Sequence, residues 1–282
     1  MRYFKLLATA VAVFAATAAS AAPVTKWTYS VSSAFDISAT QYVPSGTTPG
    51  APASSDSMYD SQTNLLQWGR KFVPGTTTAG SIENGNRSGL GINNSPNGGT
   101  TDTNGALVAA NSYTHYNNMS IGANSWTLSR TVINASLTLS GLEPEVGPGK
   151  ILTQNYQVRF VETPNNATNC PTKDTDTTLC SDIFTIVGGL GENFTYEGYE
   201  YGLQFVATGF TELLPKQCEL AGFAVGTSCF GFSTPEGEDY TSQFSFRITR
   251  AGEVPEPASI ALIGAGLLGL AGLRRRQQKS KA

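Results

Sequence analysis

The chain has one histidine, His115, in the run Tyr113-Thr114-His115-Tyr116-Asn117-Asn118. An imidazole titrates near neutral pH, so Thr114, His115 and Asn117 could form a binding site or a proton-transfer site. The expected reading is plainer: a turn in which Thr114 and Asn117 bond the backbone and His115 packs between Tyr113 and Tyr116. Triad residues need not be adjacent in sequence, but no G-x-S-x-G elbow and no H-E-x-x-H occurs, so no catalytic residue is assigned. Acids form the second candidate set. Glu192, Glu197 and Glu200 share one tyrosine-rich segment, and Glu236, Glu238 and Asp239 share another. A glycoside hydrolase needs one acid to protonate the leaving oxygen and one to attack or to activate water. Solvated hairpin charges give the same pattern and are the expectation. Asp174 and Asp176 could contribute oxygens to calcium, but they lack the spacing of a calcium loop, so a surface turn and no metal site are expected.

Cys170, Cys180, Cys218 and Cys229 complete the chemically interesting residues. An even count in an exported chain implies two disulfides, and local pairing of Cys170 with Cys180 and of Cys218 with Cys229 is expected. The spacings are too long for the usual zinc knuckles.

The elements that carry these residues read as β-strands. Over 282 residues, 40% are hydrophobic and only 14% charged, which argues against a helical bundle or coiled coil. Apolar and polar residues alternate at Trp27, Tyr29 and Val31, and again at Ile133, Ala135, Leu137 and Leu139. The same period holds for Tyr156, Val158 and Phe160, for Tyr199, Tyr201, Leu203 and Phe205, and for Phe244, Phe246 and Ile248. Half-buried strands produce this period of two. The fold class is therefore all-β, an antiparallel β-sandwich or jelly-roll-like domain. Two stretches, 44–57 and 75–104, are rich in Gly, Ser, Thr, Asn and Pro and are expected to be long loops.

Both ends read as export signals. Arg2 and Lys5 precede an uncharged stretch over 6–19, and Ala19-Ser20-Ala21 supplies the small residues of a cleavage site between Ala21 and Ala22. Residues 1–21 are thus expected to be a signal peptide, starting as an apolar helix, and 22–252 the exported domain. In the tail 253–282, Val254-Pro255-Glu256-Pro257 precedes an apolar run over 260–273, then Arg274, Arg275 and Arg276 and a basic end. Such a run is expected to form a short transmembrane helix with its positive side in the cytoplasm. Residues 22–253 carry 11 basic and 20 acidic residues, a net charge of −9, which excludes a nucleic-acid footprint.

Pro255-Glu256-Pro257, the apolar run and the arginine cluster together resemble the PEP-CTERM sorting signal of Gram-negative bacteria. The resemblance implies export across the inner membrane, transient anchoring, recognition by an exosortase and delivery to the cell surface or extracellular matrix. Thr114-His115-Tyr116-Asn117 also resembles the signature of the THxN family of PEP-CTERM proteins. So do residues 65–69 (Leu-Leu-Gln-Trp-Gly), 160–165 (Phe-Val-Glu-Thr-Pro-Asn), 180–184 (Cys-Ser-Asp-Ile-Phe) and 229–236 (Cys-Phe-Gly-Phe-Ser-Thr-Pro-Glu). That resemblance implies a class and a destination, and no reaction. The expected function is a non-catalytic structural or adhesive component of an exopolysaccharide biofilm, without cofactor. Its expected partners are signal peptidase and exosortase during export, and extracellular polysaccharide afterwards. The alternative is a secreted glycoside hydrolase using two of the acids above.

Overall fold

The computed structural model describes residues 22–45, 52–122, 124–163, 180–189 and 191–250. The signal segment with Ala21, the acids Asp174 and Asp176, Cys170, and the tail with Val254, Pro255, Glu256, Pro257, Arg274, Arg275 and Arg276 lie outside them. Both expected terminal helices therefore fall outside the described residues.

In chain order the strands are β1 (Lys26–Phe35), β2 (Gln41–Pro44), β3 (Ser57–Ser61), β4 (Leu65–Arg70) and β5 (Arg87–Asn93). There follow β6 (Gly98–Asp102), β7 (Val108–Tyr116), β8 (Trp126–Glu143), β9 (Lys150–Val161) and β10 (Ser181–Val187). The last are β11 (Gly191–Tyr196), β12 (Tyr199–Ala207), β13 (Thr211–Glu212), β14 (Phe230–Pro235) and β15 (Asp239–Thr249), with one short helix, α1 (Pro215–Leu220), before β14. One antiparallel sheet runs β13-β14-β10-β9-β8-β1-β6, with β2 also paired to β8. The other runs β11-β12-β15-β7-β5-β4-β3. The two sheets face each other across one apolar core, an all-β arrangement consistent with a β-sandwich.

The alternation read from the sequence has its cause in this layering. Trp27, Tyr29 and Val31 of β1 all point inward and are buried, as do Ile133, Leu137 and Leu139 of β8 and Phe244, Phe246 and Ile248 of β15. Trp27 of the first sheet meets Tyr201 of the second edge-on, with ring centroids 5.0 Å apart. Tyr29 meets Phe246 in the same way, also at 5.0 Å.

The expected loop over 75–104 is corrected by the structure, since β5 and β6 both lie within it. Every residue of β5 except Asn93 is buried, and the strand sits in mid-sheet between β4 and β7. Its sequence, Arg-Ser-Gly-Leu-Gly-Ile-Asn, hides the strand behind residues of low β propensity. Glycine is needed there for close approach: a Cβ on Gly89 would stand 2.6 Å from Ile82 Cδ1 and 2.8 Å from the Leu66 carbonyl oxygen.

The expected local disulfide joins Cys218 of α1 to Cys229, just before β14. Pro215 starts the helix at a position where its missing N–H has no intrahelical partner to lose. Cys180 is fully buried before β10, and its expected partner Cys170 lies outside the described residues.

Candidate functional site

Thr114, His115 and Asn117 do not form a turn. Thr114 and His115 lie on β7, between β5 and β15, and side chains alternate across that strand. Thr114 faces outward, where its hydroxyl pairs with that of Thr241 at 2.8 Å. His115 faces inward and is fully buried. It packs not between Tyr113 and Tyr116 but near-parallel to Trp68 of β4, with centroids 6.2 Å apart, and edge-on to Phe160 of β9 at 4.9 Å. Strand geometry is the reason for the difference: neighbours in sequence point to opposite faces, so the ring's partners come from other strands. Asn117 does bond the backbone, donating both amide hydrogens to the Thr234 and Pro235 carbonyls, each at 3.1 Å.

Three acids converge below the histidine. Glu162 follows the last residue of β9, Asp182 lies on β10, and Glu236 follows the last residue of β14. Those three strands are neighbours in one sheet, so strand pairing alone brings their ends together. One carboxylate oxygen from each lies within 4.8 Å of the others. Asp182 and Glu236 are buried, and Glu162 is half-buried. Asp182 Oδ2 stands 3.7 Å from His115 Nε2, beyond hydrogen-bond reach.

Electrostatics follow from the burial. Removal from water pushes the His115 imidazole down to about 3, so it is neutral at physiological pH. Burial raises the Asp182 carboxyl well above its ordinary value, and repulsion from Glu162 and Glu236 adds to the rise. Burial also raises Glu162, opposed by hydrogen bonds from Trp68 and Thr127. The indole Nε1 of Trp68 donates to Glu162 Oε2 at 3.0 Å, and the Thr163 amide donates to Asp182 Oδ1 at 2.7 Å. Each of these two carboxylates thus has one oxygen held by the protein. The other oxygen, Oε1 of Glu162 and Oδ2 of Asp182, is enclosed and has no hydrogen-bond donor. Such groups are uncommon in folded proteins and call for a physical explanation.

The acids singled out from sequence separate in space. Glu192 and Glu200 are exposed residues of the β11–β12 hairpin, Glu197 sits at its turn, and Glu238 and Asp239 are exposed. Glu236 points away from them into the cluster. Sequence reasoning missed Glu162, Asp182 and Trp68 as a set, because their separations along the chain say nothing of a common site. The five segments that carry the THxN resemblance nonetheless each send a side chain here: Trp68, His115 with Asn117, Glu162, Asp182 and Glu236.

Beyond this domain, residues 253–276 match the profile of the PEP-CTERM protein-sorting motif. The chain carries a PEP-CTERM sorting motif. It marks an exported protein sorted by an exosortase and targeted to the cell surface. No curated protein matches the chain.

Proposed function

We propose that this PEP-CTERM protein is a non-catalytic component of an exopolysaccharide matrix, a member of the THxN group, held there by adhesion through its sheet surface. Signal peptidase and exosortase process it in a Gram-negative host, with the tail as a transient membrane anchor, and matrix polysaccharide is its lasting partner. The observation that carries this reading is an aromatic group at the domain surface, in which the half-exposed Tyr59 stacks on Tyr42, itself packed against the core. Tyr42 of β2 and Tyr59 of β3 stack with centroids 4.2 Å apart, and Trp126 of β8 meets Tyr59 edge-on at 5.6 Å. Tyr59 is 49% exposed although aromatic, and the Tyr42 hydroxyl pairs with that of Ser61 at 2.9 Å. A flat ring beside hydroxyls offers a pyranose both an apolar face and hydrogen bonds. The enclosure of Glu236 and the scatter of the exposed acids also favour adhesion over hydrolysis, which needs two acids flanking an accessible bond.

The test compares the exported protein with Tyr59→Ala and with a chain lacking residues 254–282. Tyr59→Ala is expected to fold normally and to lose co-sedimentation with matrix polysaccharide. The tail-less chain is expected to be exported but diffusible. Unchanged retention of both forms, or release of reducing ends from the polysaccharide by the wild-type protein, overturns the proposal.

A further inference from the structure

We propose that Glu162, Asp182 and Glu236 bind one divalent metal cation inside the domain, with His115 Nε2 and Asn117 Oδ1 completing its shell. Three carboxylate oxygens within 4.8 Å of one another can all touch a single ion, since calcium–oxygen distances of roughly 2.4 Å span that separation across the ion. Independent of the acids, His115 is fully buried and neither ring nitrogen has a hydrogen-bond partner. The neutral form of the ring is the one that ligates metals. Its Nε2, at 3.7 Å from Asp182 Oδ2, lies at the distance expected of two ligands on one ion rather than of a hydrogen-bonded pair.

The surrounding bonds fit the same assignment. Trp68 Nε1 holds Glu162 Oε2 and the Thr163 amide holds Asp182 Oδ1, so in each carboxylate one oxygen is oriented while the other faces no donor. Outer-sphere bonds of this kind orient metal ligands. Asn117 is pinned by its two amide donations beside Glu236, which fixes its orientation and leaves Oδ1 without a donor. The donor set is mostly oxygen with one nitrogen. Calcium and manganese suit the oxygens, while zinc makes better use of the imidazole. His115 and Asn117 come from the β7 side of the core, and the three acids come from the opposite sheet, so the ion ties the two sheets together. Its enclosure makes the role structural.

The experiment uses the exported wild-type protein, purified without chelator and passed through gel filtration. Elemental analysis is expected to find about one equivalent of a single divalent metal per chain. EDTA is expected to lower the melting temperature, and calcium, manganese and zinc are then added back separately. Recovery with calcium or manganese assigns a mainly oxygen shell, and preferential recovery with zinc assigns a leading role to His115. Asp182→Asn removes a ligand at the centre of the cluster. Glu162→Gln is the gentler variant, because its amide oxygen can still accept from Trp68. Glu162→Gln is expected to melt like EDTA-treated wild type and to ignore added metal, whereas the exposed Glu238→Gln responds as wild type does. Absence of bound metal together with no melting response to EDTA or to any of the three cations overturns the proposal. So does a response that Glu162→Gln leaves intact.

Discussion

Two tryptophans mark two ways of burying a polar atom in this core. Trp27 and Trp68 are both fully buried. Around Trp27 the neighbours are aromatic: Phe194, Tyr196 and Tyr201 all lie within 6.0 Å between ring centroids. Its Nε1 donates to the Thr103 hydroxyl at 2.9 Å, and that hydroxyl donates to the Val24 carbonyl at 2.7 Å. This relay is neutral and ends on an acceptor, so little free energy is lost on burial. Trp68 donates instead to Glu162, a member of an acidic cluster in which Glu162 Oε1 and Asp182 Oδ2 face no donor. The Trp27 end is complete with the protein's own groups. The Trp68 end, on the proposal above, is completed by a cation.

The largest effect that would separate the two ends is Trp27→Ala, expected to lose about 3–5 kcal/mol in urea denaturation. That loss should be the same with and without EDTA, and a metal-dependent loss would break the contrast. Trp68→Phe keeps most of the ring and removes the donor to a carboxylate. It is expected to lose about 2–3 kcal/mol, and to weaken the melting response to added metal, which calorimetry with and without cation would show. Thr103→Val interrupts the neutral relay and is expected to cost about 1 kcal/mol, with an unaltered metal response.

The smallest effect is a pH dependence from the neutral part of the core. Burial pushes the Tyr113 hydroxyl up to about 12. Its unfolded value is about 10, so this tyrosine's contribution is complete below about pH 10 and is lost as pH rises toward about 12. Melting temperature followed across that window should fall less steeply in Tyr113→Phe than in wild type.

The strands were legible where burial is one-sided. Trp27, Tyr29 and Val31, or Phe244, Phe246 and Ile248, announce their faces because one side of each strand meets the core and the other meets water. β5 was not legible. It is covered on both faces, so no polar alternation is imposed on it, and its close neighbours demand Gly89 where a strand former would be expected. The candidate site was half legible. His115 and Asn117 stood out by type and spacing, but Asp182 and Glu162 looked like any other surface acids, and of the acids in the tyrosine-rich segments Glu236 alone is buried in the cluster while the other five are exposed.

The sequence by itself determined what local chemistry and period can carry: the sorting motif at the C-terminal end, the all-β class, and the local pairing of Cys218 with Cys229. Each depends on residues near one another in the chain. Only the tertiary structure decided that His115 leaves Tyr113 and Tyr116 for Trp68 and Phe160, and that Glu162, Asp182 and Glu236 meet. Those contacts are set by which strands pair and which sheets face each other, and residues 115 to 236 become neighbours only when β7 crosses the core from β9, β10 and β14.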